Sequence, residues 1–74
     1  MSRKPTARET VRAAAAENGW ALKEEELFID EFKKGRRYVR VLLDTSGRIT
    51  FASTPREYLY GKDKLARVLE RLAK

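Results

Sequence analysis

Seventy-four residues make one domain at most, near the size where a core supplies only about 3–5 kcal/mol, so a homo-oligomer or an obligate partner is expected. The chain has neither cysteine nor histidine, which excludes disulfides, argues against a zinc or other metal staple, and removes the commonest general base and the best nucleophile. Seventeen Lys+Arg against eleven Asp+Glu leave +6 and a pI near 10.0, past the mark for a nucleic-acid footprint.

Residues 1–5 read as a short basic, disordered arm, and residues 6–74 as a single domain. Thr6 opens a capping box with Glu9 (T-A-R-E), in which hydroxyl and carboxylate each satisfy an orphan helix N–H. Ala7, Val11, Ala14, Ala15 and Asn18 follow at helical spacing as a narrow alanine stripe that allows close packing. Asn18-Gly19 ends this helix, with Gly19 free to take the left-handed cap and Trp20 placed for the closing apolar contact.

Three strand-like runs come next, at about 26–32, 37–44 and 48–53. Asp44–Arg48 (DTSGR) reads as a type I turn with Gly47 at the left-handed position, setting Leu43 opposite Ile49 and Val41 opposite Phe51. A three-residue loop at Lys34-Gly35-Arg36 pairs Ile29 with Val41 and Leu27 with Leu43. Both turns bring Leu27, Ile29, Val39, Val41, Leu43, Ile49 and Phe51 to one core face. A linker with Tyr58-Leu59-Tyr60 leads to a second helix from about 62 to 73, striped by Leu65, Val68, Leu69 and Leu72. The predicted class is α+β, in the order α-β-β-β-α: a three-stranded antiparallel meander with both helices on one face.

Period two leaves a second sheet face of Phe28, Asp30, Phe32, Tyr38, Arg40, Leu42, Thr50 and Ala52, too apolar for a solvated surface. Three readings apply. Trp20, Tyr58 or Tyr60 folds over it; or Phe28, Phe32, Tyr38, Arg40 and Leu42 dock a second copy or a host protein; or its aromatics stack unpaired bases. Asp30 and Arg40 are expected to pair across strands.

Charge is segregated: residues 24–31 hold five acids and no base, residues 33–40 five bases and no acid. Lys33, Lys34, Arg36 and Arg37 surround the Gly35 turn and form one candidate phosphate grip. Lys62, Lys64, Arg67, Arg71 and Lys74 form the second, with Lys64, Arg67 and Arg71 on one helix face and Gly61-Lys62 as an anion site at the helix start. The plainer reading of this helix is a solvated face carrying Asp63–Arg67 and Arg67–Glu70 pairs. Arg3, Lys4, Arg8 and Arg12 are a third basic group, on the arm and the outer side of helix one. If these clusters share one surface, phosphate binding follows; if they scatter, the charge serves solubility.

Ser46 and Ser53 have no base alongside, Glu24-Glu25-Glu26 reads as a solvated lead-in, and no glycine-rich phosphate loop is present. The expectation is a non-enzyme without metal or cofactor. No apolar run approaches the roughly 18 residues of a membrane span, and the N-terminus lacks a signal core, so a cytoplasmic protein is expected.

In element order, with Gly61-Lys62-Asp63-Lys64 opening the last helix, the chain resembles the double-stranded-RNA-binding domain in topology. That likeness implies that Gly61, Lys62 and Lys64 grip phosphates. The chain also resembles short uncharacterised proteins of actinobacteria and their phages, through Asn18-Gly19-Trp20, the spacing from Val39 to Ala52, and Gly61 to Leu72. This implies an accessory protein of a bacterium or phage-infected host and brings no assigned activity. The reading is a small basic binding module that contacts DNA or RNA without sequence preference; the alternative is docking on a host or self partner through the aromatic sheet face.

Overall fold

The computed structural model describes residues 5–59 and 63–74. The expected arm, apart from Pro5, and the expected Gly61-Lys62 anion site lie outside the described residues. Helix α1 spans Ala7–Glu17, and its capping box forms as expected: Glu9 N–H donates to Thr6 Oγ1 at 3.2 Å and Thr6 N–H to Glu9 Oε1 at 2.9 Å. Gly19 closes the helix with φ +82°. Trp20 N–H donates to the Ala15 carbonyl (2.8 Å) and Gly19 N–H to that of Ala16 (3.2 Å), the paired bonds of a Schellman cap. The Trp20 indole N–H then donates to the Leu72 carbonyl at 2.8 Å, which ties the end of the first helix to the end of the last.

Five antiparallel strands follow in sheet order β1 (Ala21–Glu26), β2 (Ile29–Lys34), β3 (Arg37–Leu43), β4 (Ile49–Ser53) and β5 (Tyr58–Leu59). Helix α2, Lys64–Ala73, is capped by Asp63, whose carboxylate accepts from Ala66 N–H at 3.0 Å. Both helices pack on one face, where Val11, Ala15, Val68 and Leu72 meet Phe32, Val39, Val41, Leu43, Ala52 and Leu59. The α+β class and the helix–meander–helix order are those expected, and the sheet extends beyond three strands by β1 and β5.

The expected strand register is corrected at two places, each by one residue. The β2–β3 loop is Gly35-Arg36, two residues rather than three, because Lys34 pairs with Arg37. Gly35 takes φ +62° at the first central position, as a type II′ turn requires. A one-residue slip inverts a strand's faces, so Phe32 is opposite Val39 and only 1% exposed, whereas Leu27 is 75% exposed in the β1–β2 turn. Leu43 does pair with Ile49, but a bulge follows and Leu42 pairs with Phe51. Ala52 therefore enters the core opposite Val41, and Phe51 turns outward. Of the expected docking set, Phe32 is a core residue; Tyr38, Arg40 and Leu42 share the outer face, and Phe28 is exposed in the β1–β2 turn.

The slip also carries Asp30 inside, and the expected Asp30–Arg40 pair is replaced. Asp30 is 1% exposed and lies against α1, where Arg8 and Arg12 are one helical turn apart. Arg8 Nε and Nη2 donate to its carboxylate at 3.1 and 2.8 Å, and Arg12 Nε and Nη2 at 2.9 and 2.8 Å. Burial pushes the Asp30 carboxyl up, but hydrogen bonds from Arg12 and Arg8, with their charges, outweigh it and hold the group below its ordinary value. Arg8 also donates to the Leu27 carbonyl (2.7 Å) and to that of Glu26, clamping a two-residue turn that has no positive-φ residue. Arg8 and Arg12 are thus fold-forming contacts between α1 and the sheet, not part of an outer basic surface.

Candidate nucleic-acid interface

The two helices run in the same direction. At one end, the N-terminus of α1 meets the β3–β4 turn, where Arg8 N–H donates to the Gly47 carbonyl at 3.1 Å. At the other end, the C-terminus of α2 and the Trp20 cap of α1 meet the β2–β3 hairpin. Helix C-termini carry partial negative charge, and basic side chains gather there. Arg37 donates from Nη1 to the Lys74 carbonyl and from Nη2 to that of Arg71 (3.3 Å), and its guanidinium lies 5.2 Å from the Trp20 ring centroid. Arg37 is therefore committed to capping α2.

Beside it opens a cleft of about 590 Å³ lined, among the described residues, by four arginines, Arg36, Arg37, Arg56 and Arg71, and one acid, Glu57. Its wall is the β4–β5 turn. There Thr54 N–H donates to the Glu57 carbonyl at 2.8 Å, and Thr54 Oγ1 accepts from Arg56 and Glu57 N–H at 3.3 and 3.2 Å. That turn aims Glu57 at Arg71, and the two form an ion pair. Arg36, second residue of the hairpin turn, and Arg56 are both exposed, and neither guanidinium has a partner among the described residues. Trp20 and Pro55 supply apolar wall. The arrangement suits an extended anion that engages Arg36 and Arg56 and reaches the rim of Arg71.

The expected clusters converge in part. Arg36, Arg37 and Arg71 meet at the cleft, and Lys33 and Lys34 are exposed on the adjoining hairpin stem. Arg67 is exposed on α2 outside the cleft, and Lys64 lies about 10 Å up the helix axis from Arg71, in a shallow groove with Ala7, Arg48 and Ile49. Lys62 is outside the described residues. Arg56 was missed because Thr54-Pro55-Arg56-Glu57 reads as a linker; the usable signal was threonine before proline, a turn-building pair.

The outer sheet face is a second surface. Ile29, Leu42 and Phe51 form one cross-strand row; Glu31, Arg40, Ser53 and Tyr58 form the next; Lys33 and Tyr38 form a third. Phe51 and Tyr58 are in ring contact at 5.3 Å between centroids, tilted by 51°, and are 37% and 66% exposed. Both helices lie on the opposite side, so no helix covers these residues. Among the described residues, no group of three or more Asp and Glu is placed to hold a metal ion, and no helix is long and apolar enough to cross a membrane.

No family model, curated protein or solved structure matches the chain.

Proposed function

We propose that the protein is a small non-catalytic module that binds DNA or RNA through phosphates, without reading sequence, and does so in the cytoplasm. The observation that carries this reading is the cleft in which Arg36, Arg37, Arg56 and Arg71 meet against one glutamate. Charge at a helix C-terminus accounts for Arg37, and the Glu57 pair accounts for Arg71. Neither accounts for Arg36 and Arg56, whose heads are unpaired among the described residues and exposed at the mouth of the cleft. Guanidinium groups suit phosphate because their fork donates two parallel hydrogen bonds. The net charge of +6 adds a long-range attraction that raises encounter rates at low salt.

In this reading affinity comes from the arginine forks on phosphates and not from contacts to bases. Fluorescence anisotropy with a labelled single strand and a labelled duplex tests it. Binding should appear at about 50 mM salt and weaken steeply as salt rises. An absence of binding at low salt to either probe defeats the reading.

A further inference from the structure

The outer sheet face carries a charge and shape pattern that matches itself. Across β2 and β3 the facing pairs are Ile29 with Leu42, Glu31 with Arg40, and Lys33 with Tyr38. Within one chain the middle pair is incomplete. Arg40 Nε lies 3.5 Å from Glu31 Oε2, too loosely aligned for a hydrogen bond, and that nitrogen is shielded from solvent with no acceptor among the described residues. The Arg40 side chain as a whole still keeps 43% exposure, so it can take a further acceptor on the outer face.

We infer that this face docks a second copy of the chain, with a twofold axis running along the sheet midway between β2 and β3. That operation lays β2 of each copy over β3 of the other and keeps each row level. Glu31 then faces Arg40 of the second copy, Ile29 faces Leu42, and Lys33 lies over the Tyr38 ring. Opposite charges meet twice and Ile29 and Leu42 close on each other, as an isologous interface requires, while Glu26, beside Ile29 at the edge of that row, comes over Phe51 at the rim. Other axes in the plane fare worse: one across the strands at the Glu31–Arg40 row sets Glu31 against Glu31 and Arg40 against Arg40. Sheets so stacked are about 10 Å apart with strands nearly aligned, the usual sandwich geometry.

Size fits a weak contact. The axis overlaps β1 to β4 with their counterparts; four strands at ~4.8 Å and about five residues at ~3.3 Å span roughly 19 by 17 Å, about 320 Å² of plane per copy, which is smaller than a standard stable interface. The dimer is therefore concentration-dependent rather than obligate. Because the axis is parallel to the strands, both β2–β3 hairpins point the same way and both arginine clefts lie at one end of the dimer. That last consequence bears on function only if the cleft binds phosphate; the dimer itself does not depend on it.

Sedimentation equilibrium of the full chain over a range of concentrations, with circular dichroism to check folding, provides the test. R40E alone sets acid against acid across the axis, and E31R alone sets base against base; each should lose the dimer. An equimolar mixture of R40E and E31R restores opposite charges between chains and should recover it as a heterodimer. A wild-type chain that stays monomeric overturns the inference, as does a dimer indifferent to R40E. Recovery in the double variant E31R/R40E without recovery in the mixture also overturns it, since that result assigns the pair to a contact within one chain. Nucleic-acid titrations of R40E report on the cleft separately, so failure of the dimer and failure of phosphate binding are distinguishable.

Discussion

Replacing Asp30 with asparagine keeps the side chain's size and removes its charge from between two guanidiniums. In the wild type, four donor–acceptor contacts of 2.8–3.1 Å hold that carboxylate against Arg8 and Arg12. Removing one member of a buried ion cluster costs about 3–5 kcal/mol, because the remaining charges stay desolvated. Here the Arg8 and Arg12 side chains keep 21% and 33% exposure, so water recovers part of the loss. The expected cost is about 3 kcal/mol, near the low end of that range. At about 4–8 °C per kcal/mol for a domain of this length, D30N should melt about 12–24 °C lower. Thermal and urea unfolding followed by circular dichroism measure both quantities. The pH dependence gives an independent check. Asp30 titrates below its ordinary value of about 3.9, so its contribution is complete above that value and is lost as pH falls through the folded-state pKa. D30N should therefore show a shallower loss of stability in acid. Asp44, held low chiefly by the Ser46 hydroxyl with help from Arg48 N–H, supplies a part of the acid limb that D30N leaves in place. A D30N protein within about 0.5 kcal/mol of wild type, with an unchanged acid limb, would refute the reasoning.

Three further outcomes follow from the packing. Phe32→Ala should cost about 3–5 kcal/mol, enough to leave a chain this small largely unfolded, whereas Phe51→Ala should cost less than about 1 kcal/mol; urea midpoints compare them, and equal costs would contradict the register. Gly47→Ala forces a left-handed residue, at about 1–2 kcal/mol, and brings its Cβ to 2.9 Å from Thr6 Cβ, so it should destabilise clearly more than Gly35→Ala, whose new methyl meets nothing within 4 Å. Arg37→Ala should cost about 1–2 kcal/mol and shift the Trp20 fluorescence, since it removes a stacked guanidinium and two donors from the end of α2, while Arg36→Ala should stay within about 0.5 kcal/mol.

Local signals in the sequence were reliable where a residue's chemistry has one use. Thr6 with Glu9 marks the start of α1, Asn18-Gly19-Trp20 its end, and Asp44 to Arg48 a turn that sets Leu43 against Ile49. The stripe from Leu65 to Leu72 marks α2. Register was not legible in the same way. Leu27 and Ile29 alternate with Phe28 and Phe32, so either face of β2 reads as apolar, and Lys33 to Arg37 admits a loop of two residues or three. The decisive information lay in α1: Arg8 and Arg12 on one helical turn need an acid inside, and Asp30 is within reach only in the observed register. Strand β1 is Ala-Leu-Lys-Glu-Glu-Glu, which has no apolar alternation to reveal it, and β5 is two residues long. At the cleft, Arg36, Arg37 and Arg71 were legible as basic residues but not as neighbours, since they meet only through the parallel run of the two helices.

In the proposed function, Arg36 and Arg56 at the mouth of the cleft hold phosphate. The direct measurement is the slope of log affinity against log salt for a labelled single strand, in wild type and in R36A/R56A. Each phosphate contact contributes about 0.7 to that slope, so losing two should flatten it by about 1.4 while weakening binding at every salt concentration. A slope unchanged by the double substitution, with wild-type affinity retained, would contradict the account.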